Sequence, residues 1–317
     1  MLPMTKRSSI VRAASLWVYL CCAIISAAQD TLTITLTGDI LLDRGVRRYI
    51  QKAGIDSLFS PETDSIFAHS DIVVGNLECP ATDLRTPATK KYVFRANPEW
   101  LDCLQRHGIT HLNLANNHSV DQRRGGLQST YKNCLQAGII PVGAGRTMAE
   151  ASEPVLLTTC QSSSATRPVY LFASQRLRLE NFTYLPDSFS VSQENMDSLC
   201  QRIKRLRTAE PSAFIIVSLH WGAEHQLQPT FYQQKEAHRI IDAGADCMVC
   251  HHTHTFQTVE QYRGKPIYYS IGNFIFDQTK PINTRAAMVQ IRIAPTSVEV
   301  KTIPIEIRHC VPYLFQP

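Results

Sequence analysis

The chain has 317 residues, with 32 lysines and arginines against 27 aspartates and glutamates and a formal net charge of +5. That length can bury a sizeable core and suits one large domain. The near balance of charge lacks the concentrated basic surface of a nucleic-acid binder, which excludes nucleic acid as a partner.

At the start of the chain, Lys6, Arg7 and Arg12 precede an apolar run from Ala13 to Ile25, and Ser26-Ala27-Ala28 offers a small-residue cleavage site. The run is shorter than the ~20 residues of a membrane span. The pattern predicts a signal peptide over 1–28 and a domain over 29–317, exported to the periplasm or cell surface. An uncleaved segment that keeps the protein at the membrane is the alternative. Val18-Tyr19-Leu20 lacks the small residues that precede a lipidated cysteine, so a lipoprotein is set aside. Cleavage takes three basic and no acidic residues, lowering the formal charge from +5 to +2. It leaves eight of the ten cysteines, too widely and irregularly spaced for a small disulfide scaffold. Cys247 and Cys250 stand three apart on a predicted strand and face opposite sides of it, so two buried thiols without a mutual bond are expected.

Leu32, Ile34 and Leu36 alternate with threonines, which predicts a half-buried strand delivering Asp39 at its end. A helix over 45–53 follows, then a buried strand over 71–75 that delivers Asn76 and Glu78. Residues 81–91 read as a polar loop. Asn97 and Pro98 look like the cap and first position of a helix ending before Gly108. The strand over 109–114 delivers Asn117 and His118. A helix over 126–137, short strands over 139–142, 154–159 and 169–173, and a long loop over 176–192 come next. An amphipathic helix over 193–209 precedes the very apolar strand over 213–219, which presents His220. After a helix over 231–243, the apolar segment Ala245–Cys250 runs into His251, His252 and His254. In an extended segment residues two apart point the same way, so His252 and His254 can aim at one point. Two strands joined by Arg263-Gly264-Lys265, then two alternating runs between 286 and 307, close the chain with antiparallel strands. Strands alternating with helices first and pure strands last predict a layered α/β core with ligands at strand ends.

Collected at those ends, Asp39, Glu78, Asn117, His220, His252 and His254 form an oxygen and nitrogen donor set without thiolate. It suits one or two divalent ions of manganese, iron or zinc, with one carboxylate able to bridge a pair. Paired metals stabilise both the attacking and the leaving oxygen of a phosphoryl displacement.

The motifs Gly38-Asp39-Ile40-Leu41-Leu42, Gly75-Asn76-Leu77-Glu78, Asn116-Asn117-His118-Ser119-Val120-Asp121, His220-Trp221-Gly222-Ala223-Glu224 and His251-His252-Thr253-His254 resemble those of the CapA (PgsA) capsule-synthesis family, as does Tyr269-Ser270-Ile271-Gly272-Asn273-Phe274. The resemblance implies a calcineurin-like metallophosphatase fold, a four-layer α/β sandwich, and work on poly-γ-glutamate or capsule-type polymers. It implies an anionic polymer or phosphoester as substrate and a membrane polymer-synthesis complex as partner. It further implies that Asp39 and His254 hold one ion and Asn117, His220 and His252 the other, that Glu78 bridges, and that Asn76 offers an extra oxygen. His118 matches the histidine that protonates the leaving group, with Asp121 to orient it. Arg44, Arg95 and Trp221 are candidates for the substrate face. Two departures stand out: Leu41 occupies a position where metallophosphatases usually carry a ligating histidine, a loss the CapA family shares, and His225 stands where the family often has tyrosine. A non-catalytic scaffold of a polymer-assembly complex is the alternative to a hydrolase.

Overall fold

The computed structural model describes residues 31–157, 167–185, 187–294 and 297–315. The expected signal peptide lies outside them, as does Cys160. In chain order the strands are β1 (Leu32–Ile40), β2 (Ile72–Leu77), β3 (His111–Asn113), β4 (Ile140–Val142), β5 (Ala144–Gly145), β6 (Val155–Leu156), β7 (Val169–Gln175) and β8 (Ser190–Val191). They continue as β9 (Phe214–His220), β10 (Cys247–Val249), β11 (Val259–Tyr262), β12 (Lys265–Tyr268), β13 (Asn273–Ile275), β14 (Arg285–Ile293), β15 (Val298–Arg308) and β16 (Val311–Leu314).

Two sheets carry the fold. The first runs β16-β15-β14-β1-β2-β3-β4, with β13 beside β1, and the second runs β11-β12-β10-β9-β7-β6. Strands β1 to β4 are parallel, while β14, β15 and β16 add antiparallel partners to the same sheet. The inward alternation of β1 (Leu32, Ile34, Leu36) meets Leu171, Phe214, Ile216, Cys247 and Val249 of the second sheet in one apolar layer. On its outer face the first sheet packs against Val46, Ile50, Phe67, Leu101, Leu104 and Leu127, all from helices. The second sheet does the same with Leu199, Ile203, Ala237 and Ile240. Helices, sheet, sheet and helices therefore stack as four layers, the expected sandwich.

The details that differ have local causes. β1 is buried on both faces, because helices cover the side where Thr35 and Thr37 point, and both are fully buried. Asn97 and Pro98 do not open a helix. Their carbonyls accept from the N–H groups of Trp100 and Leu101 at 3.2 and 3.1 Å, forming turns that precede the helix Trp100–Arg106. The long loop after Gln175 contains β8, which pairs with β5 in a small antiparallel ribbon. Arg263 and Gly264 both have positive φ (51° and 73°), the geometry of a two-residue hairpin turn between β11 and β12. Cys247 lies in the layer between the sheets and Cys250 in the layer under the helices, and both are free thiols. Among the described residues, no helix is long and apolar enough to cross a membrane.

Candidate metal centre

Parallel pairing brings the carboxyl ends of β1, β2 and β3 to one edge of the first sheet, and those of β9 and β10 to one edge of the second. The candidate residues sit where these edges meet. Asp39, Glu78 and His254 form one buried group, and Glu78, His220 and His252 another; within each, the donor atoms lie within 4.8 Å of one another. Glu78 belongs to both. Its Oε1 is 3.6 Å from His220 Nε2 and 3.8 Å from His254 Nε2. Asn117 Oδ1 lies 2.8 Å from His220 Nε2, and His252 Nδ1 lies 3.2 Å from the same nitrogen.

The electrostatics suit a cation. Both Glu78 oxygens are buried and, among the described residues, accept no hydrogen bond. Burial, reinforced by the nearby Asp39 charge, pushes the Glu78 carboxyl well above the usual carboxylate range. Asp39 is also fully buried, yet the adjacent His251 and His254 rings, with nitrogens 3.3 and 3.2 Å from its oxygens, outweigh that burial and hold it well below its ordinary value. Burial pushes His220 far down and His252 to about 3, so both are neutral near pH 7, the form that ligates metal. Leaving a carboxylate buried without donors costs several kcal/mol. A divalent ion between these groups would remove that cost, and the buried carboxylate and imidazole donors are compatible with one.

The histidines do not arrive as the extended segment predicts. β10 ends at Val249, and His252 and His254 adopt φ of 97° and 55°, a left-handed turn that few side chains tolerate. The turn also directs His251 to the site, its Nδ1 3.3 Å from Asp39 Oδ1, a placement strand alternation does not suggest. His254 is oriented by Asn273, whose Oδ1 lies 2.9 Å from Nδ1, leaving Nε2 facing Glu78. Asn76 is engaged differently from a ligand. Its Nδ2 donates to Asp39 Oδ1 at 2.8 Å and its Oδ1 accepts from Asn116 Nδ2 at 3.3 Å, so it positions Asp39.

His118 is buried beside this centre, its Nδ1 2.8 Å from Asp121 Oδ2 and its ring against Phe94 at 4.3 Å. Asp121 also accepts from the Phe94 N–H and pairs with Lys90, whose Nζ donates to Asn117 O at 2.9 Å. Burial lowers the His118 pKa and Asp121 opposes that shift. The Lys90 side chain is only 7% exposed, although the polar stretch around it reads as a surface loop; the sequence carries no signal for it. Arg44 is paired with Asp277 and lies against the Phe94 and Phe276 rings. Arg95 donates to Thr82 O at 2.9 Å. Trp221 is not on a substrate face. It is 1% exposed in the core beneath the second sheet, stacked on Tyr269 and donating to that residue's carbonyl at 3.0 Å. Leu41 is likewise fully buried in the apolar layer under the first sheet's helices. His225 is partly exposed, its Nδ1 2.9 Å from Asn283 Nδ2.

Residues 33–278 match the family described as bacterial capsule synthesis protein PGA_cap. The chain belongs to this family. Every residue of the two donor groups lies inside the matched PGA_cap segment, while β14 to β16 lie beyond it. The chain is 28% identical over 288 residues to the PGA biosynthesis protein CapA of Bacillus subtilis, covering 90% of this chain and 74% of that one. To the capsule biosynthesis protein CapA of Bacillus anthracis it is 29% identical over 287 residues, covering 88% and 68%. Among solved structures it is similar to the calcineurin-like phosphoesterase YfkN from Bacillus subtilis, at 13% identity and a TM-score of 0.49, covering 90% of this chain and 88% of that one.

Proposed function

We propose that this PGA_cap family protein is an exported, metal-dependent hydrolase of phosphoester bonds, serving the synthesis of an anionic surface polymer alongside a membrane polymer-synthesis complex. The observation that carries the reading is Glu78, shared by two donor groups, buried, and without a hydrogen-bond donor among the described residues. Asp39 and His254 would hold one ion, and Asn117, His220 and His252 the other. Bound ions would stabilise the attacking and leaving oxygens of a displacement. The chain's own residues supply the rest. Asn76 fixes Asp39, Asn273 fixes the His254 ring, and Asp121 fixes His118 by accepting from Nδ1. His118 Nε2 makes no hydrogen bond among the described residues, so when the ring takes up a second proton there, with Asp121 holding Nδ1–H, it can give that proton to a leaving oxygen. The relatives' roles in capsule and PGA biosynthesis supply the polymer context.

A scaffold without catalysis is the second reading, and Leu41 favours it, because an apolar core residue replaces one expected ligand. Metal analysis of the purified chain, with monoester and diester substrates, decides between them. The hydrolase reading expects His252→Ala to lose metal, and His118→Ala to keep metal while turnover falls by ~10²–10⁴-fold. Equal metal loss in both variants overturns the assigned roles, and full metal content with no turnover in the unaltered protein favours the scaffold. Intact-mass measurement of protein from its native host tests export. A mass that retains residues 1–28 means an anchor.

A further inference from the structure

A second cluster of ligating side chains lies away from the centre described above, at the solvent edge of the outer helices of the first sheet, with Cys103 buried and Asp56 exposed. Cys103 and His107 stand four apart at the end of the helix Trp100–Arg106, so they share one face, and Asp56 reaches them from the 3₁₀ turn Ile55–Leu58. Their Sγ, a ring nitrogen and a carboxylate oxygen lie within 4.8 Å of one another.

The distances carry geometric content. Asp56 Oδ1 is 3.2 Å from His107 Nε2 and 3.5 Å from Cys103 Sγ. A tetrahedral zinc ion with bonds of about 2.05 Å to nitrogen and oxygen and about 2.3 Å to sulfur separates those ligand pairs by about 3.3 and 3.6 Å. Two of the cluster's three edges therefore already match those of a zinc site. His107 is held for the purpose. Its Nδ1 lies 2.7 Å from Asp64 Oδ1, and its ring stacks on Phe59 at 4.1 Å with the planes 6° apart. An Nδ1–H given to Asp64 leaves the Nε2 lone pair aimed at Asp56 and Cys103, the carboxylate–histidine arrangement found behind metal-bound imidazoles. In the metal-free chain the Cys103 thiol donates to Asp56 Oδ1; once that proton is lost, sulfur, oxygen and nitrogen donors face one another, which a cation resolves. Arg106 also contacts the cluster, donating to Asp56 Oδ1 at 2.7 Å from the solvent side.

We propose that Asp56, Cys103 and His107 bind a zinc ion, with Asp64 as the positioning carboxylate and water in the fourth place on the exposed side. Binding forms bonds from Cys103 Sγ, His107 Nε2 and an Asp56 oxygen, and the thiol proton passes to solvent. Arg106 keeps the remaining lone pairs of the Asp56 carboxylate. The site is distinct from the Glu78 centre, which contains no thiolate.

That difference supplies the test. Cobalt(II) added to the metal-free full-length chain should give an intense near-ultraviolet thiolate-to-metal charge-transfer band, which a centre of oxygen and imidazole ligands cannot produce. The band should vanish in Cys103→Ser and in His107→Gln, with an unchanged far-ultraviolet circular dichroism spectrum showing that the variants fold. It should persist in His252→Ala, whose lesion is at the other centre. Asp64→Asn should weaken zinc binding by roughly 10–100-fold. Absence of the band in the unaltered chain overturns the proposal and leaves His107 as a hydrogen-bonded bridge between Asp56 and Asp64. A band that survives in folded Cys103→Ser overturns it equally.

Discussion

The two sheets contribute to the Glu78 centre in opposite styles. The first sheet supplies oxygens, Asp39 and Glu78, from or just beyond the ends of parallel strands, where regular pairing fixes their positions. The second supplies imidazoles, and apart from His220 these come from a turn whose His252 and His254 have positive φ. Carboxylates are small and can be aimed by a strand register alone. Bringing three histidine rings from one short segment to neighbouring points requires the backbone to coil, and non-glycine residues there cost about 1–3 kcal/mol each. One half of the site is thus a by-product of the sheet, and the other stores strain that the surrounding structure must hold.

The largest test of this contrast strikes where the first sheet touches the elements that support the turn. Gly38 lies against the Gly272 backbone, and a Cβ there would fall 2.1 Å from the Gly272 carbonyl oxygen and 2.8 Å from Asn273 C. Neither atom can rotate away, and Asn273 is the residue that orients His254. Gly38→Ala should therefore cost about 3–5 kcal/mol, seen as a fall of roughly 10 °C in melting temperature, and should cut metal content as well. Loss of stability with metal content intact would mean that the first-sheet half assembles independently of its contact with Gly272.

The sequence reveals these two halves unequally, for the same physical reason. Alternation in Leu32, Ile34 and Leu36 and the apolar run before His220 mark strands, and strand ends mark ligands, so Asp39, Glu78 and His220 can be found by pattern. Which way a side chain points in a coiled turn has no period. His251 is consequently missed, and His252 and His254 are found through an extended geometry that the turn does not have. Long-range partners are also invisible: nothing near Lys90 predicts its burial against Asp121, and nothing near Trp221 distinguishes a pocket wall from core. The four-layer order was readable because each layer repeats a simple pattern; the Asp56–Cys103–His107 cluster was not, since it joins a helix face to a turn 47 residues earlier in the chain.

His111 offers a smaller test, as a buried first-sheet histidine outside both donor groups. Burial alone pushes it from 6.5 to about 4, and its Nε2 is buried with no hydrogen bond among the described residues. The folded protein keeps this ring neutral while the unfolded chain takes up a proton below pH 6.5. Its contribution is therefore fully present above pH 6.5 and lost as pH falls from 6.5 to about 4, at up to about 1.4 kcal/mol per pH unit. In metal-free protein, His111→Leu should flatten the dependence of unfolding free energy on pH across that window, leaving it unchanged above pH 7. An identical slope in both proteins would show that His111 is protonated in the fold and that burial in this sheet is less severe than the geometry indicates.

The smallest expected effect isolates the strain itself. At His252, with φ of 97°, glycine is free to adopt the backbone while alanine keeps the Cβ that resists it. Both His252→Gly and His252→Ala remove the imidazole, so the difference between them in metal-free protein reports only the backbone. Glycine should be the more stable by about 1 kcal/mol, the relief of strain exceeding the extra freedom glycine gains when unfolded. His251 supplies the control, since it is the neighbouring buried histidine of the same segment but has no positive φ. There the order should reverse, with alanine ahead by roughly 0.5 kcal/mol. Chemical denaturation of the four variants in chelator measures both differences. If glycine and alanine rank the same way at the two positions, the turn does not concentrate strain at His252, and the imidazole half of the site is as relaxed as the carboxylate half.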